Sequence, residues 1–136
     1  MPVQIEIISP EKVLVSRQVD MAVLPGMEGD IAAMPEHAPM MLLLRGGVVA
    51  LYEGETVTDR YFVGGGFADI TPDRCTVLAD RAVPVSDISI DNATAQLEAL
   101  SEAWDKADKT DTTRRGVVQD QILAVRAEIE AGTGTL

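Results

Sequence analysis

The stretch Val23–Met41, VLPGMEGDIAAMPEHAPMM, decides how the rest of the chain is read. It sets Pro25, Pro35 and Pro39 and the glycines Gly26 and Gly29 among apolar residues. Pro25-Gly26 predicts a turn, because proline presets φ and glycine accepts the positive φ that a type II turn needs next. Glu28-Gly29-Asp30 then reads as an exposed tight connection. In Met34–Met40 each proline removes a backbone donor and biases the residue before it to extended geometry. That excludes a helix and a central strand. What remains is a stiff extended arch carrying the single histidine, His37, together with Met34, Met40 and Met41. Such an arch suits a docking surface. His37 equally suits a hydrogen-bonded structural role.

Outward from this arch the pattern is that of strands. Val3, Ile5 and Ile7 alternate with Gln4 and Glu6, the period of a half-buried strand. Val13–Val15, Val19–Leu24, Ile31–Met34 and Met40–Leu44 follow. Arg45-Gly46-Gly47 predicts a hairpin that returns through Val48–Tyr52. Glu53-Gly54-Glu55 turns the chain into Thr56-Val57 and Arg60–Val63. Phe67–Ile70, Cys75–Ala79 and Ala82–Val85 complete the set. Short strands with a turn roughly every ten residues predict an antiparallel sandwich or barrel. The triple glycine Gly64–Gly66 is followed by Phe67–Pro72, which cannot be a helix. It therefore predicts a bulge or a close approach of strands rather than a phosphate loop.

After Asp87 the period changes. Ala93, Leu97, Leu100, Trp104 and Ala107 recur at four-three spacing, with Ser89 or Asp91 able to cap the start. Lys109–Thr112 interrupts the pattern and offers a second cap. Val118, Ile122, Val125 and Ile129 repeat the spacing, and Gly132 is expected to end it. The reading is two domains: residues 1–86 an antiparallel β-domain, residues 87–136 an antiparallel α-helical hairpin with a narrow apolar seam. Gly116, inside the second helix, costs about 1 kcal/mol relative to alanine.

Composition bounds the function. The 136 residues carry a net charge of −11, spread over both parts: 12 acidic against 6 basic side chains in 1–86, and 10 against 5 in 87–136. No basic stripe exists to displace counterions, so neither nucleic acid nor an anionic lipid surface is an expected partner. No apolar run approaches a membrane span, so no direct membrane insertion is expected. The N-terminus lacks the pattern of a secretory signal, which predicts a cytosolic protein. The lone Cys75 reads as a small buried hydrophobe. One histidine and one cysteine, far apart, supply neither a nucleophile pair nor a zinc ligand set. No catalytic residue and no metal site is expected.

Five motifs, taken together, carry a resemblance: Val23-Leu24-Pro25-Gly26-x-Glu28-Gly29-Asp30, Pro35-x-His37-Ala38-Pro39, Gly46-Gly47-Val48-Val49, Tyr61-Phe62-Val63-x-Gly65-Gly66-Phe67 and Val77-Leu78-Ala79-Asp80-Arg81-Ala82. The chain resembles the epsilon subunits of bacterial F-type ATP synthases, called delta in mitochondria. The resemblance implies a β-sandwich of about ten antiparallel strands followed by the helical hairpin, and a non-catalytic rotor subunit of the central stalk. It links the gamma shaft to the membrane ring of c subunits and couples proton translocation to ATP synthesis, at the cytoplasmic face of the bacterial inner membrane. By matching position it implies c-ring contact at Glu28, Gly29 and Asp30. It implies gamma contact at Ser9, His37, Ala38, Pro39 and Met40. The hairpin is implied to regulate ATP hydrolysis, through the alpha and beta subunits where it reaches them. Members whose hairpin binds ATP carry an Ile/Leu-Asp-x-x-Arg-Ala motif. Here Ile90-Asp91-Asn92-Ala93-Thr94-Ala95 has Thr94 in place of the arginine, so the alternative of a nucleotide-responsive hairpin is reduced to weak ATP binding at Ile90, Asp91 and Arg126. No other cofactor is implied.

Overall fold

In the computed structural model residues 2–134 are described; Met1 and the last two residues of the 87–136 segment lie outside them. Ten strands come first: β1 Val3–Ile8, β2 Val13–Val19, β3 Met21–Gly26, β4 Gly29–Ala33, β5 Met40–Leu44, β6 Gly47–Glu53, β7 Thr56–Val63, β8 Gly66–Ile70, β9 Arg74–Ala79 and β10 Ala82–Pro84. A 3₁₀ turn, Val85–Asp87, leads to helices α1 Ile90–Lys106 and α2 Thr112–Thr133. The strands pair in the order β10-β7-β6-β3-β5-β8-β9-β1-β2, with β4 on the flank of β3. A single pair, Gly26↔Leu44, joins β3 to β5, and there the sheet folds into two layers. The inner faces make the core: Val3, Ile5, Ile7, Leu24, Val49, Leu51, Val63, Ile70 and Val77 are all fully buried. Cys75 is buried among them, as its alternating context predicts.

The β-sandwich followed by a helical hairpin is the predicted fold, with four local corrections. Pro25 and Gly26 are not a turn but the end of β3, paired to Asp30 and Gly29. The chain reverses instead over Met27-Glu28, and the positive φ falls on Gly29 at 144°. Gly26 is needed for space: a methyl there would lie 2.5 Å from the Gly29 carbonyl oxygen. The proline-positive-φ turn occurs one motif later, where His37 N–H donates to Met34 across Pro35-Glu36 and Glu36 takes φ 68°. Arg45-Gly46-Gly47 closes no hairpin, because β5 pairs with β8 while β6 pairs with β3 and β7. The segment is a crossover between layers. One pairing, β1 with β9, is parallel. Gly132 does not end α2; Gly134, in the left-handed region at φ 82°, does. Gly132 is instead a contact point, since a methyl there would lie 2.9 Å from Ile88.

The triple glycine is a close strand approach. Gly66 at φ 126° lets the Leu78 carbonyl come so near that a methyl would sit 2.1 Å from its oxygen. The helices start on the expected caps, Ser89 accepting from Asn92 N–H and Asp111 from Arg114 N–H. Asp108 accepts from both the Thr110 N–H and hydroxyl in the link, and these bonds hold its carboxyl below the usual range. The predicted seam residues face one another across the hairpin, Ala93, Val118 and Val125 buried and the rest partly so. The hairpin lies on the outer face of the β10-β7-β6-β3 layer, α2 against β6.

Candidate docking faces and the family they belong to

The outer face of the other layer, β5-β8-β9-β1-β2, is uncovered. Register lines up one apolar residue from each strand across it. Leu43 stands opposite Phe67, Phe67 opposite Leu78, Leu78 opposite Ile8, and Ile8 opposite Val13. Leu43 is 67% exposed, Val13 56%, and Phe67 and Leu78 39% each. Four strand intervals make the row about 19 Å long. The adjacent row, Met41, Asp69, Thr76, Glu6 and Ser16, is mostly polar. A continuous apolar row with a polar border is the form of a protein contact rather than of scattered surface hydrophobes.

The β3–β4 tip extends this row. Met27 N–H donates to the Leu43 carbonyl, and Met27 is 62% exposed. Glu28, Gly29 and Asp30 are all exposed beside it. Asp30 is committed within the chain: its carboxylate accepts from Arg45 at 2.7 Å, and Arg45 also donates to the Gly26 carbonyl. Glu28 has no ion pair among the described residues. Between the tip and β5 lies an open groove of about 510 Å³, walled by Met27, Ile31, Met40 and Met41.

The residues expected at gamma fall at two ends of one layer. Ser9 closes the β1–β2 turn, its backbone and hydroxyl both bonded to Lys12, next to the Ile8–Val13 end of the row. His37, Ala38 and Pro39 enter β5 at its far end, roughly 10–15 Å along the strands at about 3.3 Å per residue. The arch is held there by Glu36 N–H donating to the Pro72 carbonyl, and His37 Nδ1 lies 2.6 Å from the Ala38 carbonyl. Met40 is one step out of phase with Met41 and Leu43, pairing with buried Ile70. Sequence reading missed the row itself. Leu43, Phe67 and Leu78 each carry the outward parity of their strands, but only the pairing places them side by side.

On the hairpin, Ile90 packs at Gly132 and Asp91 is exposed in the first turn of α1. Arg126 opens instead onto a shallow groove with Ser101, Trp104 and Asp105, which Asp91 does not line. Arg115 stacks 4.0 Å over the Trp104 ring. Among the described residues no group of histidine, cysteine and carboxylates could hold a metal ion, and no helix is long and apolar enough to cross a membrane.

Residues 2–85 match the family model described as ATP synthase, Delta/Epsilon chain, beta-sandwich domain. The chain belongs to the delta/epsilon family of ATP synthase subunits. The match covers the sandwich up to the 3₁₀ turn, and relatives extend the likeness across the hairpin. The ATP synthase epsilon chain of Gluconacetobacter diazotrophicus is 58% identical over 134 residues, 98% of this chain and 95% of that one. The epsilon chain of Rhodospirillum rubrum is 42% identical over 127 residues, 90% and 95% of the two chains. The fold is also that of a chain in the Euglena gracilis mitochondrial ATP synthase, with TM-score 0.75 at 18% identity over 93% of this chain and 78% of that one. Membership in the delta/epsilon family makes the protein an accessory subunit of a larger enzyme, not the catalyst.

Proposed function

We propose that this chain is the stalk subunit that seats the gamma shaft on the c ring, at the cytoplasmic face of a bacterial inner membrane, and so couples proton flow to ATP synthesis. The observation that carries the reading is the open apolar row Leu43-Phe67-Leu78-Ile8-Val13. Gamma is its occupant, with Ser9 at one end of the layer and the His37–Met40 arch at the other. The Met27–Asp30 tip, exposed and acidic beside that row, meets the polar loops of the c ring. Placing both contacts on one layer leaves the opposite layer to the hairpin. The hairpin in turn tunes ATP hydrolysis, reaching the alpha and beta subunits only when it leaves the sandwich.

The test is reconstitution. The full chain and a chain ending at Val85 are titrated against purified gamma, and the resulting complexes are offered to isolated c ring. Both forms are expected to bind gamma with similar affinity and to recruit the ring. Loss of gamma binding on truncation would place the anchor in the hairpin and overturn the reading.

A further inference from the structure

A charged pair of unequal members joins hairpin and sandwich. Glu128 of α2 is 3% exposed as a residue, and its carboxylate meets the guanidinium of Arg81 in the β9–β10 turn. The Arg81 side chain is 51% exposed. Its backbone is fixed, since the Arg81 carbonyl accepts from Gly64 N–H at 2.8 Å. The rest of the contact is close but made of small groups on one face of α2. A methyl on Gly46 would lie 3.3 Å from both Ala124 Cα and Ala127 Cβ, and Gly132 sits against Ile88. Beneath them lies Phe62, an outward-facing residue of β7 that is only 1% exposed. Its cross-strand partners are Val48 and Val83. Phe62 shares with Arg81 and Glu128 the lining of a cavity of about 110 Å³.

We propose that Arg81 and Glu128 form the latch that holds the hairpin down, and that the latch is worked from the Arg81 side. This rests on the regulatory reading of the hairpin given above. Glu128 is buried only while the hairpin is docked, and among the described residues its ion-pair partner there is Arg81. Removing the partner of a buried charge strands that charge, whereas removing the buried member leaves a cation that water already reaches. The docked state is therefore conditional on Arg81. A competing carboxylate from another chain can reach the exposed half of the Arg81 side chain, while Glu128 is out of reach. The small apolar contacts hold the helix in place, and Arg81 decides whether the Glu128 charge can stay buried there.

The prediction is an asymmetry. Spin labels at Glu55→Cys and Asp120→Cys, both exposed positions, report the sandwich-to-hairpin distance in the full chain. Cys75 stays unlabelled: it is fully buried, and burial together with nearby Asp69 pushes its thiol up to about 12. The unmodified pair should give one short distance. Arg81→Ala should raise the open-to-docked ratio at least tenfold. Glu128→Gln should raise it no more than about threefold, and Arg81→Ala/Glu128→Gln together should fall back towards the Glu128→Gln value. Gamma binding by each variant reports separately that the sandwich is folded and docking. Equal opening in both single variants, no opening in Arg81→Ala, or a double variant as open as Arg81→Ala would each overturn the latch. Loss of gamma binding by the unmodified chain would instead overturn the stalk reading and leave the latch result standing.

Discussion

Leu43→Ala is the sharpest probe of the apolar row. Leu43 is 67% exposed, so about two thirds of its surface remains for a partner to cover. Full burial of a leucine is worth about 1.5–3 kcal/mol, which gives about 1–2 kcal/mol for that share. Truncation to alanine forfeits most of it, and the Kd for gamma should rise about 5- to 30-fold. The fold itself should barely respond, because only the remaining third of the side chain is already packed. Leu43→Asp should go further and abolish measurable binding, since docking would then bury an unpaired carboxylate. The assay is titration of gamma by calorimetry, with thermal unfolding of the free chain as the check on folding. Val117→Ala is the control: Val117 is also exposed, at 54%, but stands on α2 away from the row. Binding by Leu43→Ala within twofold of the unmodified chain would refute the reasoning. An equal loss in Val117→Ala would refute it as well.

Gly116→Ala should stabilise the hairpin by about 1 kcal/mol, because alanine is the better helix former and a methyl there meets nothing within 4 Å; helix melting by circular dichroism checks it. Gly66→Ala should cost about 3 kcal/mol or more through its left-handed backbone and the clash with Leu78, read as a lower urea midpoint at unchanged slope. Glu28→Lys should weaken ATP-driven proton pumping in membranes while leaving hydrolysis and thermal stability alone. Asp30→Lys should lower stability too, since it sets a lysine beside Arg45; unaltered pumping in Glu28→Lys would remove the tip from the ring contact. The isolated chain should bind ATP weakly or undetectably by calorimetry. Thr94→Arg, at an exposed position of α1, should tighten binding about ten- to a hundredfold, as a charged hydrogen bond to phosphate is worth roughly 1.5–3 kcal/mol.

Local pattern made the strands and helices legible. Alternation in Val3–Ile7 and the four-three spacing from Ala93 to Ile129 depend on neighbours in sequence, and so do the caps Ser89 and Asp111. Pairing does not depend on them. Arg45-Gly46-Gly47 has the composition of a hairpin, yet Gly46 is small because α2 passes over it and Gly47 because Pro25 does. A glycine demanded by a distant neighbour looks the same as one demanded by a turn. Pro25-Gly26 misled in the same way. Apart from Ser9, the residues expected to contact gamma and the ring lay in the conspicuous arch, where prolines and a histidine draw the eye. Leu43, Phe67 and Leu78 read as ordinary strand hydrophobes, because each is one apolar letter among others until register aligns them. Arg81 and Glu128 are 47 positions apart and join only through the docking of the hairpin.

The chain's first strand is also not an edge, and this has a mechanical consequence. β1 is bonded on one side to β2 and on the other, in parallel, to β9. A pull along β1 loads both ladders in shear, so their hydrogen bonds resist together instead of opening singly as on a peeled border. Because β9 leads through β10 to the hairpin, the beginning of the sandwich is stitched to its end. A twist applied where the helices attach passes through the parallel ladder into the N-terminal strand, and from there into the whole layer that carries the apolar row. A layer stitched in this way resists twist as one plate, which is what the proposed seat between shaft and ring would require.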